Sequence, residues 1–173
     1  MDRNLIPRPN RRDILRGALG ESPVPVLRPP GTQPEFDRLC DDCGACSRAC
    51  PQHIVRHAQT GGPELDFRHG ACTFCGDCAR ACPTGALLAE DHVTLPWRAT
   101  ILDSCLSLQG VSCRSCEDAC DARAIRFRLR TGGRAVPVLD PDLCTGCGAC
   151  AFACPAQSVA FIRPQPENPE ITA

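Results

Sequence analysis

A chain of 173 residues with a formal net charge of −1 fits one domain or two small ones and carries no basic excess for binding nucleic acid. With 1 Trp, 6 Phe and no Tyr it has little material for an aromatic-rich core, and no apolar run approaches transmembrane length, so a soluble protein without a membrane span is expected. All 19 basic residues are Arg, which suits either counter-charges near a buried anionic group or an acidic partner; replacement of Lys by Arg in a GC-rich genome is the plainer explanation.

Residues 1–35 are rich in Pro and Arg, and Pro7, Pro9, Pro23, Pro25, Pro29, Pro30 and Pro34 break any long helix. They predict an extended N-terminal arm with one short helical piece over 13–19. Within it, Asn10-Arg11-Arg12-Asp13-Ile14-Leu15-Arg16 is similar to the core of a twin-arginine export signal. Such a signal needs an apolar stretch next, whereas Glu21, Pro23, Pro25 and Arg28 follow, so the expected location is cytoplasmic, with export as the alternative. The arm reads as a solvated tail or as a docking element.

Residues 36–93 and 101–163 predict two modules, joined by a linker over 94–100 and followed by a flexible tail over 164–173. The halves match between their cysteines. Ile54-Val55-Arg56-His57-Ala58, Thr60-Gly61-Gly62 and Leu65-Asp66-Phe67 correspond to Ile125-Arg126-Phe127-Arg128-Leu129, Thr131-Gly132-Gly133 and Val136-Pro137-Val138-Leu139-Asp140. Each is a strand, a Gly-Gly turn and a second strand, and so a hairpin. Arg126, Arg128 and Arg130 alternate with Ile125, Phe127 and Leu129, which predicts a cationic face opposite an apolar one: a docking patch or an ordinary solvated strand. Trp97, in the linker, is expected to be an anchor packing the linker between the modules rather than an electron relay.

The modules carry 16 cysteines in four copies of one pattern. Cys40, Cys43, Cys46 and Cys50 precede Pro51; Cys72, Cys75, Cys78 and Cys82 precede Pro83; Cys144, Cys147, Cys150 and Cys154 precede Pro155. The third copy is altered, with Cys105, Cys113, Cys116 and Cys120 followed by Asp121. A disulfide framework has no need of a repeated three-three-four spacing, and zinc, which takes two cysteine pairs, leaves the extra cysteines unexplained. The spacing is that of [4Fe-4S] ligation in bacterial-type ferredoxins. The predicted fold is therefore α+β: two tandem bacterial-type 2[4Fe-4S] ferredoxin-like modules, with short helices and small antiparallel hairpins around four clusters. Close wrapping of a cluster needs small residues between ligands, as at Gly44-Ala45, Gly76, Gly146 and Gly148-Ala149.

In two-cluster ferredoxins the last cysteine of each copy serves the other cluster. Applied here, Cys40, Cys43 and Cys46 join Cys82; Cys72, Cys75 and Cys78 join Cys50; Cys144, Cys147 and Cys150 join Cys120. Cys113, Cys116 and Cys154 remain, with Cys105 as the fourth corner. That site is the weakest of the four, because Leu106 to Ser112 intervene between Cys105 and Cys113 and Arg114-Ser115 holds no Gly. An oxidised cluster with four thiolates carries about −2, so four would add about −8.

His53, His57, His69 and His92 form no spaced set and read as surface or packing residues. No phosphate-binding glycine loop and no nucleophile–base pair is present, so the chain is expected to be no enzyme in its own right. With the Arg11-Arg12-Asp13-Ile14-Leu15-Arg16 start, the altered third copy and the Cys105-to-Cys113 spacing, the chain resembles the NapF family of ferredoxin-type accessory proteins. The resemblance implies a cytoplasmic iron-sulfur protein. It would bind the molybdenum-containing catalytic subunit of periplasmic nitrate reductase before export, supplying electrons or aiding cofactor assembly. The alternative is a general electron carrier or wire between a donor and another redox protein.

Overall fold

Among the described residues the helices are single turns, and all but the first lie between the second and fourth cysteines of a copy, where the chain must turn sharply at both ends. The computed structural model describes residues 26–89 and 95–164. The expected helix at 13–19, the twin-arginine-like run, His92 and the tail from residue 165 lie outside the described residues. The first module contains α1 (Phe36–Leu39), α2 (Ala45–Ala49), β1 (Val55–His57), β2 (Pro63–Leu65) and α3 (Asp77–Arg80). The second contains β3 (Arg98–Ile101), α4 (Ser115–Asp118), β4 (Ile125–Arg130), β5 (Arg134–Leu139), α5 (Ala149–Phe152) and β6 (Val159–Ile162).

Both hairpins lie where the Gly-Gly turns predict them. In the first module Val55 faces Leu65 and His57 faces Pro63; in the second the ladder runs from Ile125–Leu139 to Arg130–Arg134. The glycines at 61, 62, 132 and 133 all take positive φ, the backbone that a tight antiparallel turn demands. A third antiparallel pair joins the ends of the second module, Arg98 to Ile162 through Ile101 to Val159. This strand begins at Arg98, inside the stretch expected to be linker.

The arm departs further from expectation. Its last residues, 26–34, are not a free tail but a strap across the first module. The Leu65 N–H donates to Leu27 O at 2.6 Å, Gln33 N–H to Ala86 O at 3.1 Å and Leu88 N–H to Gly31 O at 2.9 Å. Thr32 bridges antiparallel to Leu87, the counterpart of the β3–β6 pair in the second module. Arg28 donates to Gly61 O at 2.8 Å and to Pro63 O at 3.0 Å, and its guanidinium lies 4.6 Å over the Phe36 ring. Seven prolines obscured this, since a strand that borrows only one edge has no periodic signature.

The core between the modules is shared. Cys50, Ile54, Val55, Leu65 and Phe67 from the first pack with Leu95 and Trp97, and Ala151 and Phe161 of the second close against them. Trp97 is 1% exposed and its indole N–H donates to Gly146 O at 3.2 Å. Phe67 and Phe161 have ring centroids 5.0 Å apart at 51°, within the range of favourable tilted pairs.

Candidate metal centres

The three regular cysteine copies build the same local frame. Two residues after the first cysteine of each the chain turns left-handed, at Asp42 (φ 60°), Phe74 (φ 55°) and Gly146 (φ 77°). It does so again just after the second cysteine, at the residues that cap α2, α3 and α5, and the short helix then carries the third cysteine toward the interior. Three residues beyond the fourth cysteine comes another left-handed residue in all four copies: His53 (φ 53°), Gly85 (φ 71°), Arg123 (φ 52°) and Gln157 (φ 49°). For an L-residue this backbone costs about 1–2 kcal/mol. Its purpose lies in the next residue, whose N–H turns back onto the sulfur: Ala124 N–H meets Cys120 Sγ at 3.2 Å and Ser158 N–H meets Cys154 Sγ at 3.3 Å. The fixed small or aliphatic residue four places after each copy is thus a buried hinge, and Ile54, Ala86, Ala124 and Ser158 are all nearly inaccessible. The left-handed residue itself leaves no mark in the sequence, because His, Arg and Gln give no sign of that conformation.

The cysteines converge in the crossed groups. Cys40, Cys43, Cys46 and Cys82, the first set, line a cavity of about 230 Å³ together with Phe36 and Thr84. Cys72, Cys75, Cys78 and Cys50, the second set, line a smaller one of about 20 Å³. Cys144, Cys147, Cys150 and Cys120, the third set, surround another of about 20 Å³. The fourth set shows in its electrostatics: burial pushes the Cys116 thiol up to about 11, and the neighbouring thiols of Cys105, Cys154 and Cys113 add to the shift.

Burial and crowding act alike elsewhere. Burial, with the thiols of Cys147, Cys144 and Cys120 nearby, pushes Cys150 up to about 12, and burial pushes Cys72 and Cys78 to about 11. Cys82 is the exception: burial raises it, but the Thr84 hydroxyl and the N–H groups of Leu87, Thr84 and Ala86 together hold it below the usual thiol range. Four thiols forced together without a cation are mutually unfavourable as thiolates, so each set suits a positively charged core.

The donors fit a [4Fe-4S] group better than a single ion. Among the described residues no three His, Cys, Asp or Glu converge closely enough to hold one metal ion, and all sixteen cysteines are unpaired. Thiols spread around a space, with backbone N–H groups aimed at sulfur, are what a cube with one thiolate per corner needs. His53, His57 and His69 are exposed; His57 instead hydrogen-bonds Asp42, Nε2 to Oδ2, at 2.5 Å.

The altered copy has its own support. Arg114, where the other copies have Gly, takes φ −136°. The loop after Cys105 is held by Leu102 O, which accepts from Cys105 N–H at 3.0 Å, and by Val111 N–H donating to Leu106 O at 2.8 Å. Buried Ser107 donates to Ala135 O of the β4–β5 hairpin, and Ser104 hydroxyl meets that of Ser158 at 2.9 Å. The seven-residue loop between Cys105 and Cys113 is therefore anchored at both ends, and Cys105 is buried. The cationic strand is as expected for Arg126, Arg128 and Arg130, which are exposed, but Leu129 is 83% exposed rather than part of an apolar face.

Comparison with known proteins agrees with this frame. A 4Fe-4S dicluster domain family matches residues 39–86 and 111–158. The chain is 40% identical over 154 residues to the ferredoxin-type protein NapF of Escherichia coli strain K12, covering 87% of this chain and 92% of that one. This chain belongs to the NapF family of ferredoxin-type proteins. The Haemophilus influenzae NapF is 41% identical over 139 residues, 78% of each chain. A methylamine utilization ferredoxin-type protein, MauM of Methylophilus methylotrophus, is 37% identical over 163 residues, 83% of this chain and 72% of that one. The chain is thus a NapF-type iron-sulfur protein of electron-transfer type, built on two dicluster domains. The second matched stretch begins at residue 111, beyond Cys105. Among the described residues no helix is long and apolar enough to cross a membrane.

Proposed function

We propose that the chain holds four [4Fe-4S] clusters, one in each crossed set of cysteines, and serves as a maturation partner. It would bind the molybdenum-containing catalytic subunit of periplasmic nitrate reductase in the cytoplasm and supply electrons to it before export. The observation that carries the cofactor reading is the first set, where three cysteines of one copy and Cys82 of the next enclose a common cavity. When bound, the clusters supply one-electron chemistry at low potential. The protein's own residues hold them, aim N–H groups at their sulfurs and exclude water from Cys78, Cys105, Cys116 and Cys150, all of which are buried. A reducing compartment suits sixteen unpaired thiols. The role toward nitrate reductase rests on the NapF resemblance, including the arginine-rich start.

The test is an anaerobic pull-down from cytoplasm with the full chain and with a chain lacking residues 1–25, which leaves the 26–34 strap intact. Recovery of the unexported nitrate reductase subunit by the full chain, and its loss with the arm, supports maturation. Recovery of only a dehydrogenase or quinol-linked partner, with or without the arm, favours the second reading, a general electron carrier. Similarity to a methylamine utilization protein is the observation that keeps that reading in view.

A further inference from the structure

Two matched halves suggest two independent ferredoxins on one string, yet the halves meet at their ligand loops. The Cys72 N–H, in the second set, donates to the carbonyl of Cys147, in the third, at 2.8 Å. We propose that this bond is the joint of one continuous electron conduit through all four sets, with the first and fourth as its ends. The proposal rests on the cluster-carrying reading above.

The order follows from the chain. Within each module the sets are joined by two short runs: Cys46 to Cys50 and Cys78 to Cys82 in the first, Cys116 to Cys120 and Cys150 to Cys154 in the second. In each run the third ligand of one set and the fourth of its neighbour stand four residues apart, on a helix turn and its exit. Between modules the joint falls on the second and third sets.

The joint is clamped. Leu95 N–H donates to Thr145 O at 3.2 Å, Trp97 N–H to Gly146 O at 3.2 Å, and the Phe67 ring lies against Gly148 where any side chain would overlap it. Three consecutive residues of the Cys144–Cys147 loop and its following glycine are therefore fixed by the first module and the linker. Tunnelling decays steeply across gaps, and a hydrogen bond between two ligand-bearing backbones removes the gap at the one place where the chain offers no short covalent route. With a cluster held in each set, every hop would oxidise one cluster from 1+ to 2+ and reduce the next from 2+ to 1+, with no proton moved. A low-potential one-electron reductant supplies the first electron and an external acceptor takes the last.

The test isolates the inner pair. A chain carrying Cys40→Ala, Cys43→Ala, Cys105→Ala and Cys113→Ala should retain about eight irons in the second and third sets. After dithionite reduction, the conduit predicts an electron paramagnetic resonance spectrum split by two interacting spins; the plain sum of two isolated signals overturns it. If that chain fails to hold iron, the comparison moves to the otherwise unaltered protein and its Phe67→Asp variant at equal iron content. Loss of part of the spin interaction is expected, and identical spectra overturn the proposal. Absence of clusters from the unaltered protein would instead sink the cluster-carrying reading itself.

Discussion

The ring of Phe67 occupies the space that a side chain at residue 148 would need, so a ferredoxin glycine in one module is held open by an aromatic residue of the other. Gly148 also has φ 85°, which L-residues rarely adopt. Gly148→Ala therefore meets both strain and overlap. The expected outcome is selective loss of the third set, with iron falling from about sixteen to about twelve per chain, checked by iron and acid-labile sulfide analysis.

Trp97 fastens the same loop from the other side. It is 1% exposed and packs with Leu95, Phe67 and Ile54. Trp97→Ala should cost about 3–5 kcal/mol, as large aromatic truncations in a core do, whereas Trp97→Phe keeps most of the packing and forfeits mainly the bond to Gly146 O, about 1 kcal/mol. Denaturant unfolding of the anaerobic holoprotein separates the two.

Cys105 decides whether the altered copy completes a cluster. Cys105→Ala removes one corner of the fourth set, and the outcome expected is a three-iron or empty site there with the other three unchanged. A three-iron signal or a fall of up to about four irons in the variant alone checks this; an unaltered iron count and spectrum would show that Cys105 is not a ligand.

Among the described residues Asp66 is the carboxylate set furthest from the usual range, at about 2, chiefly by hydrogen bonds from Arg68 and against the opposing effect of burial. Arg68 Nε and Nη2 reach its oxygens at 2.9 and 2.8 Å. A folded value below the unfolded 3.8 means that the stabilisation is complete above about pH 5 and is lost as pH falls toward 2. The stability difference between the protein and Asp66→Asn should thus stay flat from pH 8 to pH 5 in urea titrations. A difference that shrinks within that window would contradict the assignment.

Arg126, Arg128 and Arg130 are exposed, and none forms an ion pair among the described residues. Replacing all three by Ser should alter stability by no more than about 0.5 kcal/mol per site. If the strand docks an acidic partner, the same variant should bind the partner more weakly and with a shallower salt dependence; unchanged binding at low salt leaves the strand an ordinary solvated face.

What was legible in the sequence was whatever repeats. The cysteine spacing and the Gly-Gly turns placed both hairpins and grouped Cys82 with the first set and Cys50 with the second, because ligand geometry dictates residue spacing. What stayed hidden was held by single contacts. The strap of Leu27, Arg28 and Thr32 across the first module has no period, and its prolines argue against any strand. The left-handed turns at Arg123 and Gln157 serve the N–H that reaches sulfur, not those residues' own preferences. The Cys72–Cys147 bond joins residues 75 positions apart in different repeats, and duplication by itself says nothing about how two copies dock.

The most direct test of the account is the iron and acid-labile sulfide content of the full chain purified without air. The crossed sets predict about sixteen of each per chain, falling by about four in a Cys82→Ala variant as the first set loses its corner. A count near eight with no change on removing Cys82 would contradict the four-cluster assignment and the crossed pairing together.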